Sequence, residues 1–199
     1  IGWLLKSMFT EFKSEMELEE LANQSPYGSN GVVFLPYLCG ERSPIFDPRA
    51  SGVFFGLNIT TNKADTVRSV YEGVAYGMQQ IFNIGREKWG IKPEFIKCVG
   101  GASKSAMAVQ LRADALATEI RTIEADSTAS YGAALLGAVA AGIFTLDQVP
   151  YLTAYGKVVK PNTEGVAHFS KYQKIYSKIY PNLKELMQLH YSLTNGKTE

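Results

Sequence analysis

Gly100, Gly101, Ala102 and Ser105 lie in the stretch EFIKCVGGASKS, residues 94–105, where an apolar strand-like run breaks into paired glycines and a hydroxyl-bearing turn just ahead of an amphipathic helix. Residues of these types in this order suit a nucleotide. Gly100 and Gly101 carry no side chain, so a purine or a sugar-phosphate can lie against the backbone, and the free N–H groups at the next helix start favour partial negative charge. A glycine pair by itself also serves a strand-to-helix turn that holds no ligand, so the surrounding elements must decide between the two readings. Asp114 and Glu124 are the tempting acids of this region. Asp114 falls at a polar position on a packed helix and Glu124 at a strand end, and both are assigned to structure. Cys39 and Cys98 stand in apolar strand contexts without metal-ligand spacing, which points to buried free thiols in a reducing compartment. His168 and His190 lie far along the chain, so neither cysteine has a positioned base, and no metal site is expected.

The elements that would position the glycine turn follow from hydrophobic period. Residues 1–21 are expected as one helix with an acidic second half, followed by turns over 23–31, an extended run over 31–38, a proline-punctuated loop over 39–52 and a short strand over 53–58. The loop over 40–52 carries Glu41, Arg42, Asp47 and Arg49 among prolines, a composition expected to pair with itself at a sheet edge rather than touch substrate. From Asn62 a long helix is well signalled. Asn62 can cap, Asp65 sits in the first turn, and Val67, Val70, Tyr71, Val74, Met78, Ile81 and Phe82 recur at helical spacing until Gly90 and Pro93 end it. Thereafter strands over 94–99 and 119–124 alternate with helices over 103–117 and 127–143, the pattern of βα crossovers and an α/β sheet covered by helices. Ligands of such sheets gather beyond the carboxyl ends of the strands. The turns at 100–101 and 125–130 both fall there and could line one crevice. Gly132, Gly137 and Gly142 suggest close helix-to-sheet packing, and the aromatic stripe from His168 to Leu193 suggests core or a subunit interface compatible with a homodimer, with Pro181 expected to kink or divide its helix.

Composition excludes several classes. The 199 residues have a net charge of +1, and the basic residues are scattered among acidic ones without forming a stripe, so nucleic acid is not an expected partner. The longest apolar run, residues 133–144, is too short to span a bilayer. No secretory leader is recognisable, and a cytoplasmic location is expected. The chain opens without Met, in what reads as mid-helix, so it is expected to be a piece of something longer.

Three segments in fixed order carry a resemblance. FLPYLCGERSPIFDPRASGVFFGL, the helix containing RSVYEGVAYGM, and VGGASKSAMAVQLRADAL followed by STASYGAALLGAVAAG together resemble the carboxy-terminal half of the FGGY carbohydrate kinases, closest to the xylulose kinases among them. Gly52, Phe54, Gly56 and Leu57, then Asp65, Ser69, Val70, Tyr71 and Glu72, follow that family's second signature, and Thr66 departs from it where an aliphatic residue is usual.

The resemblance implies an RNase H-like, actin-like ATPase domain with a mixed sheet flanked by helices, ATP and Mg²⁺ as cofactors, and transfer of a phosphoryl group to a sugar, most closely D-xylulose. Gluconate, ribulose or glycerol is the alternative substrate. A non-catalytic actin-like or Hsp70-like nucleotide switch is the alternative class. By the same resemblance Gly100, Gly101 and Ala102 pack on the adenosine and Ser105 offers it a polar contact. The 199 residues would form one nucleotide-binding domain. The catalytic base, the phosphate hairpin and the amino-terminal sugar-binding domain are expected upstream, so no catalytic residue is assigned and the chain alone is expected to be inactive.

Overall fold

The computed structural model describes residues 1–123, 128–152 and 154–195. The long helix α3, Lys63–Trp89, begins where the sequence places it, because Asn62 accepts from the Asp65 amide and Asp65 returns the bond to the Asn62 amide, closing a capping box. It ends on Gly90 in the left-handed conformation. Thr66, the departure from the family signature, turns its hydroxyl back onto the Asn62 carbonyl at 3.1 Å, so the polar substitution is absorbed on the helix itself.

Ahead of α3 the expected single helix is two, α1 (Gly2–Ser7) and α2 (Glu15–Ala22). Ser14 breaks the run by capping α2 through the Glu17 amide, and Phe9 turns into the core between them. The expected extended segments shrink to β1 (Val33–Leu35) and β2 (Val53–Phe55), paired antiparallel as a separate ribbon. Cys39 lies beyond Pro36 in the loop and is exposed, which corrects the expectation of two buried thiols; Cys98 is buried and both are free. The loop pairs with itself as expected. Glu41 and Asp47 exchange backbone hydrogen bonds, and Asp47 accepts from the Arg49 amide and the Tyr180 hydroxyl, contacts that hold its carboxyl below the usual range.

The second sheet has the order β3-β4-β5. Strands β3 (Phe95–Cys98) and β4 (Glu119–Ile123) run parallel through the crossover helix α4 (Ala106–Leu116), while β5 (Tyr155–Val159) adds antiparallel to β4 and was not anticipated. One sheet face packs on α4 through Ile96, Cys98, Ile120 and Val159, meeting Val109, Ala113 and Leu116. On the other face the Arg121 guanidinium stacks 3.8 Å from the centre of the Phe95 ring. Helix α5, Thr128–Ala140, does not pack closely as its glycines suggested. Ala133, Ala134, Leu136 and Gly137 are exposed, and a β-carbon at Gly132 or Gly137 meets no described atom within 4 Å.

Helix α6, Thr163–Asn195, continues through Pro181 without dividing. Phe169, Tyr176, Ile179, Tyr180 and Met187 face α3 and β1 in the main core, so this part of the aromatic stripe is interior. Where α6 crosses α3, the Tyr76 hydroxyl and His168 Nε2 share a hydrogen bond of 2.6 Å. Burial, then the Arg68 and Lys171 charges, depress the His168 pKa to about 4. No helix among the described residues is long and apolar enough to cross a membrane.

At Gly73 a β-carbon would overlap the Phe34 carbonyl oxygen of β1, whereas at Gly137 it would enter open space. Gly73→Ala is expected to cost about 1–3 kcal/mol, and Gly137→Ala to add about 0.5–1 kcal/mol through helix propensity. Denaturant midpoints of the two variants test this, and a tolerated Gly73→Ala contradicts the close approach. The unfolded imidazole takes its proton near pH 6.5, while folded His168 resists until about 4, so the stability it contributes is complete above 6.5 and is lost as pH falls toward 4. His168→Gln is therefore expected to lose less stability than the parent across that window in pH-dependent melts.

Candidate functional site

The Gly-Gly turn is built by its own sequence. Gly100 takes φ 81° and ψ −169°, a conformation open essentially to glycine alone, and a 3₁₀ turn over Gly101–Ser103 follows it. Ser103 closes that turn twice, donating from its amide at 3.0 Å and from its hydroxyl at 2.7 Å to the Gly100 carbonyl. The turn stands directly beyond the carboxyl end of β3, where the parallel crossover opens toward α4.

Helix α4 starts later than the sequence pattern suggests. Ser105 is its N-cap, with its hydroxyl accepting from the Ala108 amide at 3.0 Å, rather than a residue within the first helical turn. Its hydroxyl proton is still available to a ligand. The neighbouring amide of Met107 is taken by Glu19 of α2, whose Oε1 accepts at 2.7 Å. Arg112, two turns along α4, reaches back so that its Nη1 lies 3.4 Å from the Ala102 carbonyl and 3.3 Å from Cys98 Sγ.

A cavity of about 690 Å³ opens beside this turn. Gly101, Ala102 and Ser105 line it, so three of the four residues singled out from sequence share one wall; Gly100 makes the bend and does not line it. The other walls were not foreseen. They come from Ile1, from Glu15, Met16 and Glu19 on or beside α2, from Tyr71, Val74 and Ala75 on α3, and from Arg112. A signal existed in the periodicity: Val74 belongs to the apolar stripe of α3 yet stays 39% exposed, because that part of the stripe faces the cavity instead of a packed neighbour. Burial raises the Tyr71 hydroxyl, and the Glu19 and Glu15 carboxylates add to the shift. A volume of this size with largely apolar walls and a few fixed polar groups suits a heterocycle and its sugar.

Of the two tempting acids, Asp114 is structural. Asp114 is fully buried and accepts from the Tyr27 hydroxyl at 2.6 Å, the Asn162 amide at 2.6 Å and Gln110 Nε2 at 2.8 Å. Glu124 lies outside the described residues, as do residues 125–127 of the 125–130 turn expected to share the crevice. Among the described residues no group of three or more His, Cys, Asp or Glu side chains could hold a metal ion.

Residues 1–141 match the family described as FGGY family of carbohydrate kinases, C-terminal domain. A xylulose kinase of Staphylococcus epidermidis is 34% identical over 197 residues, 98% of this chain and 39% of that protein. The solved structure of a ligand-bound xylulose kinase from Lactobacillus acidophilus superposes with a TM-score of 0.84 at 29% identity, covering 92% of this chain and 37% of the other. A gluconate kinase from the same organism gives 0.83 at 30% identity, with 92% and 37% covered. The chain thus spans about two fifths of the length of these relatives. The α/β fold with a mixed sheet is that of the actin-like sugar kinases, as expected from the sequence.

Removing the cap tests how the turn is held. Ser105→Ala is expected to lower stability by about 1 kcal/mol, from one unsatisfied amide at the start of α4. Chemical denaturation reads the change, and an unchanged midpoint would show that the hydroxyl is dispensable to the helix.

Proposed function

This chain belongs to the FGGY family of carbohydrate kinases, and from that premise we propose that it is the nucleotide-binding part of an ATP-dependent sugar kinase whose whole polypeptide phosphorylates D-xylulose to D-xylulose 5-phosphate. The observation that carries the reading is the 690 Å³ cavity at the carboxyl end of β3, with Gly101, Ala102 and Ser105 on one wall. The adenine ring would lie on the side-chain-free backbone of Gly101, with Ala102 and Ser105 beside it. Gly100 contributes by making the bend that no other residue makes cheaply.

The γ-phosphoryl group of ATP would pass to a primary sugar hydroxyl. That transfer needs a carboxylate to orient and deprotonate the hydroxyl, positive charge on the phosphates and exclusion of water. The buried carboxylates among the described residues, Asp47, Asp65, Glu72 and Asp114, are each engaged in holding the fold, which supports a base outside this chain. Mg²⁺ would neutralise the phosphates, and the described residues offer it no ligand cluster. The amino-terminal sugar-binding domain would close on this one across the nucleotide, in the cytoplasm where ATP is supplied.

A second substrate has support from a particular observation. The gluconate kinase structure matches as well as the xylulose kinase one, at 0.83 against 0.84. Turnover of the full-length polypeptide on D-xylulose, gluconate, ribulose and glycerol separates them, since these substrates differ in hydroxyl pattern and charge.

The nucleotide assignment has its own test. A β-carbon at Gly101 meets no described atom within 4 Å, so a side chain there enters the cavity rather than a packed neighbour among the described residues. Gly101→Val in the full-length polypeptide is expected to weaken ADP binding by at least about tenfold, or 1.4 kcal/mol, with the unfolding midpoint unchanged. Calorimetry giving parental affinity would refute the placement of the base on this turn.

A further inference from the structure

Glu19 stands where two walls of the cavity meet. It belongs to α2, it lines the cavity, and its Oε1 accepts the Met107 amide in the first turn of α4 at 2.7 Å. Among the described residues this is the only hydrogen bond between α2 and α4. Its effect reaches the turn through a short stretch of fixed geometry. Met107 is two residues beyond Ser105, and the Ser105 cap, the Ser103 closure and the Arg112 contact to the Ala102 carbonyl make residues 100–108 one hydrogen-bonded unit. Helix α2 also carries Met16 and Glu15 on the same cavity. Glu15 is exposed and makes no hydrogen bond through its side chain to any described residue, so it cannot set the spacing; Glu19 can.

We infer that Glu19 is a positioning residue for the nucleotide: by tying α2 to the start of α4 it fixes the distance between the Gly101–Ala102 turn and the opposite wall, and so the width of the slot into which a nucleoside di- or triphosphate base inserts. The inference rests on the nucleotide reading above. Without the tie, the free Met107 amide turns to water and α2 is no longer held to the turn, so bound nucleotide must reorder both walls. That cost appears in binding, because the contact is made equally in the ground and transition states, and the phosphoryl-transfer step at saturating ATP is untouched.

The test uses the full-length polypeptide with ADP as the probe in calorimetry and ATP as the varied substrate in a coupled kinase assay. Glu19→Ala is expected to raise the ADP Kd and the ATP KM about five- to tenfold with kcat within twofold of the parent. Glu19→Gln, which keeps an oxygen able to accept from the Met107 amide, is expected to stay within about twofold in all three. Glu20→Ala, on the exposed side of the same helix, serves as the control and should change none. A purely structural role would lower the melting temperature of Glu19→Ala without moving KM, and that result overturns the inference. So does an equal loss in Glu19→Ala and Glu19→Gln, which would make the charge rather than the acceptor responsible. If Glu19→Ala does not fold, Glu19→Gln decides alone, a loss of more than fivefold in ADP affinity overturning the inference and near-parental affinity upholding it. Gly101→Val measured alongside keeps the two readings apart: a loss there with parental Glu19→Ala removes only the inference, whereas no loss in either removes the nucleotide site itself.

Discussion

Two buried carboxylates on α3 hold the loop that joins α2 to β1. Asp65 accepts from Ser25 and Asn30 as well as from its own helix start, and Glu72, 1% exposed, accepts from the Gly28 amide, the Ser29 hydroxyl and Arg68 Nε. Between them the chain runs through four consecutive residues of positive φ, Gly28, Ser29, Asn30 and Gly31. Two are not glycines, so the conformation is costly and persists only because the carboxylates on α3 bind the donors it presents. Burial keeps the Glu72 carboxyl above the usual range even against the Gly28 amide and the Arg68 guanidinium, a sign of how much solvent this clamp excludes. Removing one partner from such a pair typically costs about 3–5 kcal/mol.

With the loop held, α3 becomes the shared wall of both hydrophobic clusters. Val67, Val70, Tyr71, Ala75 and Tyr76 meet β1 and α6, while Met78 and Phe82 meet the α4 side of the sheet. The cavity forms where the apolar stripe of α3 passes from one cluster toward the other and finds α2 and the glycine turn instead of a packed neighbour. Site and core therefore use one surface. Tyr71 illustrates it, being buried in the main cluster and a lining residue of the cavity at once.

Much of this was legible in advance, for reasons that differ by element. Helix α3 was readable at both ends because Asn62, Asp65 and Gly90 act locally, within one turn of the residues they cap. The β3–α4–β4 crossover was readable because its strands and helix carry distinct periods. The break between α1 and α2 does carry a local signal, Ser14 three residues ahead of Glu17, which the single-helix expectation passes over, whereas the turn of Phe9 into the core between the two helices is a contact that no local pattern encodes. Strand β5 was missed because its partner is 35 residues away, and the glycines of α5 were misread because small residues suit close packing without showing that a neighbour is present.

The amino-acid sequence alone determined the glycine turn and the family signature, since both depend on residues close in the chain, the turn on backbone freedom that only glycine has. Only the tertiary structure decided that the turn faces a cavity, that Glu19 reaches across to Met107, and that Val74 lines a wall rather than a core. Those facts depend on how three helices diverge, and divergence is set by side chains up to about ninety positions apart.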